Sequence, residues 1–198
     1  MLSSQTGADT TPAGRPGPAW LERHWLLAAN ALNGLVIGGA VLAPWLRASG
    51  WEPLATLLYL AYRSLCLQRP SHSFFLFGHQ LALEHRMLAI ALGLLLGGLL
   101  FTLSRDRLRP LDRRLLVLLN LPMLLDVLSQ TIGLRDSTWP WRVGTGLLGS
   151  LAAVWWAYPH LGRAFATAAV SRRAVASGAT PAEQARAIVT REALKEQR

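Results

Sequence analysis

Between Tyr59 and Met87 the chain reads YLAYRSLCLQRPSHSFFLFGHQLALEHRM, and much of its capacity for chemistry is crowded there. The stretch holds Cys66 (the one cysteine), three of the five histidines (His72, His79 and His85), Glu84, and the arginines Arg63, Arg69 and Arg86. Cysteine, histidine and carboxylate are zinc ligands, and a methionine such as Met87 would tilt a site towards copper. Cys66, His79, Glu84 and His85 are therefore a candidate metal set, although their spacing matches no standard ligand signature. A thiolate at Cys66 with His79 or His85 as base would be a nucleophile instead. The plainer alternatives are a buried thiol and histidines that hydrogen-bond headgroups or backbone. An intramolecular disulfide is excluded, because one cysteine has no partner in its own chain.

A second concentration follows sixty residues later. Asp126 and Gln130 lie in an apolar run, and GLRDSTWPW supplies Arg135 and Asp136 just beyond it. A lone carboxylate at the centre of a bilayer costs about 2.5–3.5 kcal/mol on insertion scales, so Asp126 needs a partner or a wet cavity. Arg69, Arg86, Arg135 and Arg142 are candidates to converge on Asp126 and Asp136. Guanidinium groups bind phosphate bidentately, so an anionic ligand such as a lipid phosphate fits. The candidate ligand-binding set is Arg69, His79, Glu84, Arg86, Asp126, Gln130, Arg135 and Asp136. The alternative is an Arg–Asp network that only closes the outer helix ends.

These groups need elements to hold them. The chain is 52% hydrophobic and only 16% charged, and its apolar residues come in blocks. Trp25–Leu46, Leu81–Leu103, Leu115–Ile132 and Trp141–Leu161 each approach the ~20 residues of a bilayer-crossing helix. The expected fold is all-α, a multi-pass transmembrane helical bundle of about four spans. Pro44, Gly50 and Pro53 should end the first span. Leu54–Leu65 is too short to cross and rich in tyrosine, so it reads as a short re-entrant or interfacial helix. Gly34 with Gly38, and Gly93 with Gly97, have the four-residue spacing that lets helices approach closely, and Asn30 and Asn33 can bridge them. Pro122 should kink its helix. A helix from Leu81 would put Gln80, Glu84 and Met87 on one face.

The net charge of +9 raises nucleic acid as a partner, but its placement argues against that. The loop SRDRLRPLDRR and the tail beyond Leu161 carry the excess, as cytoplasmic loops do. Residues 1–19 read as a disordered cytoplasmic tail, 20–165 as the transmembrane bundle, and 166–198 as a basic cytoplasmic tail. Within that tail Thr180, Pro181 and Glu183 form a capping box for a short helix. The chain is expected in the plasma membrane with both termini cytoplasmic. Its partners would be the lipid bilayer and other membrane subunits or a second copy. Phosphate-binding loops, His-Glu-x-x-His and serine nucleophile elbows are absent from the sequence.

The two concentrations together resemble a bacterial and archaeal membrane family, domain of unknown function twenty-eighty-five. Its members carry Cys-His-Gln-x-Pro, Ser-Phe-Phe-x-Phe-Gly and Cys-x-Arg-Cys, then Asp-Gly-x-x-Gln with Gly-Leu-Arg-Glu-Ser-Thr. Here the counterparts are CLQRPSHSFFLFGHQ, EHRM and DVLSQTIGLRDST, followed by VGTGLLGS, in the same order from Tyr59 to Ser150. Leu67 replaces the histidine, Glu84 and Met87 replace the cysteines of Cys-x-Arg-Cys, and Val127 replaces a glycine. Any thiol or metal chemistry run through those cysteines would lack most of its equipment here. The resemblance implies fold and topology more than mechanism. The functional expectation is a non-enzymatic accessory or ligand-binding membrane protein with an extracytoplasmic polar site. The alternative is a membrane enzyme or a metal or redox site on Cys66, His79, Glu84 and His85, and no cofactor is named by the sequence.

Overall fold

The computed structural model describes residues 19–104 and 109–176, with side-chain surroundings for 24–104 and 109–172. Residues 24–164 form one compact unit, and residues 1–23 with 165–198 form another. The described part of the second unit is helical, being the first residues of one helix and the last of another. The tail up to Pro18, Arg105 and Arg107 of the basic loop, and the capping box at Thr180 lie outside the described residues.

Five α-helices stand among the described residues: α1 (Ala19–Ala48), α2 (Glu52–Arg63), α3 (His85–Ser104), α4 (Arg113–Thr131) and α5 (Trp139–Ala176). Residues 24–48 of α1, all of α3 and all of α4 are long and apolar enough to cross a membrane. The expected fourth span, Trp141–Leu161, falls within α5 but is not among them. Arg142, the glycines and the interfacial aromatics dilute its hydropathy. Pro44 does not end α1, which continues one turn further to Ala48. The break comes at Gly50, whose φ of 82° only glycine adopts freely, and Pro53 opens α2.

The all-α expectation needs correction between α2 and α3. An antiparallel hairpin stands there, β1 (Ser73–Leu76) and β2 (His79–Glu84), so Leu81–Glu84 is strand and the helix begins at His85. Gln80, Glu84 and Met87 therefore share no helical face. The two-residue turn is Phe77-Gly78, with φ of 55° and 76°, the signs a type I′ turn requires. Glycine takes that conformation freely, whereas a phenylalanine in it costs about 1–2 kcal/mol. Leu81, Ala82 and Leu83 are all buried, so β2 lacks the in–out alternation by which strands are recognised.

Within residues 24–164 α3 and α5 run parallel to each other, and α1 and α4 run antiparallel to them. At one end Trp25 of α1, Phe101 of α3 and Tyr158 of α5 form an aromatic cluster. At the other end β2 is wedged between helices, where Ala40, Ala43, Tyr62, Ala82 and Leu83 make a core. Small residues set the spacing. A Cβ at Gly93 would collide with Ser150, one at Gly97 would press on Val154, and one at Gly98 would strike Asn30. Gly34 and Gly38 behave differently: a Cβ on either would meet no atom within 4 Å. The close approach on α1 is made by Gly39, which lies under Tyr62, whose hydroxyl donates to the Val36 carbonyl at 2.6 Å. Asn33 donates to its own helix at Ala29 and bridges nothing.

Candidate functional site

α4 has one buried residue, and it is Asp126. With its side chain wholly inaccessible, the carboxylate is taken up by four donors from three directions. Oδ2 accepts from the Arg86 guanidinium at the start of α3, from Gln130 Nε2 at 3.0 Å and from Ser137 Oγ at 3.0 Å. Oδ1 accepts from Arg135 Nη2 at 3.2 Å. Gly133, at φ 73°, turns the chain after α4 so that Arg135 and Ser137 fold back over that carboxylate. Arg135 also lies over the Trp141 ring, 5.8 Å from its centroid. Two guanidinium groups on one carboxylate leave this contact set with surplus positive charge.

Arg142, one turn into α5, adds to the surplus. It is 6% exposed, and its Nε finds no hydrogen-bond partner among the described residues. Asp126, Asp136 and Glu84 attract it from beyond contact distance and Arg86 repels it. Arg86 Nε and His85 Nδ1 are likewise buried without a partner. An unsatisfied buried donor of this kind costs roughly 1–3 kcal/mol. His85 and Arg86 are neighbours at the start of α3, and Arg142 lies one turn into α5 within electrostatic reach of both.

The hairpin forms the facing wall, and a pair of glutamines latches it. Gln68, held at φ 53°, donates to the carbonyls of Tyr59 (2.8 Å) and Ala82 (3.2 Å). Gln80 Nε2 returns a bond to the Gln68 carbonyl at 2.6 Å and another to Ser73 Oγ at 3.1 Å. Glu84 Oε1 accepts the Arg69 backbone N–H at 3.0 Å, and Phe74 packs edge-on against His85 and Trp139. His72 sits between these walls. Burial pushes its pKa below the ordinary value, with Arg142 and Arg69 pushing the same way against Glu84 and Asp136.

The structure thus brings Arg86, Asp126, Gln130 and Arg135 into one network and sets Glu84 and Asp136 near its edge. Arg69 contributes its backbone. His79 does not join them, because it stands at the turn end of β2. Nor do Cys66, His79, Glu84 and His85 converge: no group of three metal-ligating side chains forms among the described residues. His79 and Glu84 stand at opposite ends of β2, while Cys66 Sγ is turned to the Ala82 carbonyl at 3.6 Å. Ser137 and His72 were not expected as site residues. Ser137 was legible only as a hydroxyl two residues past Arg135, and His72 carries no sequence signal that separates it from its neighbours.

A groove of about 650 Å³ opens beside the network. Leu118, Leu121, Pro122 and Leu125 line it along α4, Leu134 and Trp141 close its side, and Asp126 and Arg135 form its polar end.

Residues 66–156 match a family described as "Predicted membrane protein (DUF2085)". An uncharacterized protein of Methanocaldococcus jannaschii, MJ1492, is 31% identical over 125 residues, covering 60% of this chain and 80% of its own length. The chain belongs to this family. No solved structure matches it. The DUF2085-matched stretch begins at Cys66 and takes in the hairpin, Arg86, the Asp126 network and Arg142, whereas α1 and α2 lie outside it. The description names a predicted membrane protein and no function, in keeping with three helices fit to cross a bilayer.

Proposed function

We propose that this DUF2085 member is a non-enzymatic, ligand-binding membrane protein that holds an anionic group at the Arg86–Arg135–Arg142 cluster. The observation that carries this reading is Arg142, 6% exposed, whose Nε is buried without a hydrogen-bond partner and which makes no ion pair among the described residues. Leaving such a charge bare is costly, and an anion bound bidentately would relieve it. The groove supports a lipid phosphate as the source, since it offers an apolar channel ending at Arg135. The site is read as extracytoplasmic. Arg109 precedes α4 and Arg113 and Arg114 open it, at the end opposite to Asp126, and short basic segments stay in the cytoplasm. The amino-terminal half of α5 then serves as a fourth span, with Arg142 paid into the bundle interior rather than facing lipid.

Thermal unfolding of the purified protein in a neutral detergent, titrated with inorganic phosphate against chloride of equal ionic strength, tests this. Wild type should gain stability with phosphate. Arg142→Met should be as stable as wild type or more so without ligand, and should lose the phosphate response. A phosphate-independent wild type, or an Arg142→Met protein that unfolds outright, would leave the cluster a purely structural network.

A further inference from the structure

The β1–β2 hairpin ends in a tip that nothing among the described residues covers. Phe75 is 59% exposed, Leu76 38% and Phe77 54%, and no charged residue lies between Ser73 and Gly78. Successive side chains on a strand point to opposite faces, so exposure of both Phe75 and Leu76 makes the tip apolar on both sides. Phe77 projects from the turn between them. A surface that docks on a folded partner is one-sided, whereas a tip apolar on both strand faces, with His79 beside Leu76 to meet headgroups, is suited to immersion in an interface.

The backbone at Phe77 sharpens the point. Its positive φ is one that asparagine or glycine would hold without strain. The turn does not call for phenylalanine, and no neighbour buries it. The base of the hairpin is different in kind. There Ser73 and Glu84 are hydrogen-bonded to Arg69, and Gln80, opposite Phe75, turns its amide back to the Gln68 carbonyl and Ser73. Along its length the element passes from apolar tip to polar base, the profile of a structure lodged in a membrane interface. Three residues at ~3.3 Å each reach roughly the 5–10 Å to which interfacial elements sink.

We propose that the Phe75–Leu76–Phe77 tip is a membrane anchor, immersed in the headgroup and upper acyl layer of the leaflet next to the polar site. The anchor fixes β2, and through it Glu84 and His85, at headgroup depth. It stands independently of the anion reading.

The test uses the full chain in phosphatidylcholine nanodiscs, with Cys66→Ser to leave a hydroxyl donor towards the Ala82 carbonyl. Phe77→Cys and, separately, Phe75→Cys are labelled with a nitrobenzoxadiazole fluorophore, and Ser71→Cys at the exposed base serves as reference. Phe75 lies on ordinary strand backbone, so its variant stands if the turn relaxes in the other. Nitroxide carried on lipid near the headgroup should quench both tip labels at least twofold more than the base label, and aqueous iodide should do the reverse. Equal iodide quenching at tip and base would overturn the proposal by placing the tip in water. Protection from both quenchers would overturn it by placing the tip against protein, such as a second copy of this chain.

Discussion

Arg86 and Asp126, forty residues apart in sequence, meet in a direct ion pair that fastens the start of α3 to the carboxyl-terminal half of α4. The acid is inaccessible and the base one-fifth exposed. Breaking such a pair from one side strands a buried charge, at a cost of about 3–5 kcal/mol. Asp126→Ala and Arg86→Ala should each fall in that range, and the double variant should lose less than their sum. Arg135→Ala should cost at most about 1 kcal/mol, because that side chain is 57% exposed. Reversible unfolding in mixed detergent measures all four, and an Arg135 loss equal to that of Arg86 would contradict this ranking.

The glycines divide into two classes with opposite expectations. Gly93→Val should fail to fold or lose several kcal/mol, since even a Cβ there runs into Ser150 on α5. Gly34→Ala and Gly38→Ala meet nothing and should be neutral or stabilise by up to about 1 kcal/mol. Folded yield and unfolding midpoints of the three variants separate the classes.

Much of the bundle was legible in the sequence, and its failures have physical reasons. Apolar run length locates α1, α3 and α4 to within a few residues, because a bilayer dictates length directly. The hairpin escaped because Leu81–Leu83 is buried on both faces and runs straight into α3, so period 2 never shows. Asp126 with Arg86 and Arg135 could be anticipated, since a carboxylate in an apolar run demands a counter-charge. The Gln68–Gln80 latch could not, because neutral amides give no such demand and their partners are backbone carbonyls.

That latch makes its own prediction. Gln80→Leu keeps the bulk but deletes bonds to the Gln68 carbonyl and Ser73 Oγ, for a loss of roughly 1–3 kcal/mol. The effect should be local. Hydrogen exchange across 68–84 should rise several-fold while α4 and α5 stay protected, and uniform loss of protection would refute a local role.

His72 gives the site a pH dependence of defined sign. Its folded pKa lies below the unfolded value near 6.5, so the unfolded chain binds the extra proton between the two. The stabilising contribution is complete above about pH 6.5 and is lost as pH falls through the lower, folded pKa. Unfolding midpoints from pH 8 to 5 should decline for wild type and decline less for His72→Gln. Identical slopes would exclude this histidine as the source.

The contact between Gly146 and α3 has a final consequence. A Cβ at Gly146 would sit 3.0 Å from the Arg86 carbonyl oxygen, so α3 and α5 touch main chain to main chain one turn below Arg142. The gap between the Arg86 and Arg142 stems is thus gauged by bare backbone, which cannot compress. The pair stands like a fixed caliper, its jaws gauged by a missing methyl group rather than by the cations themselves.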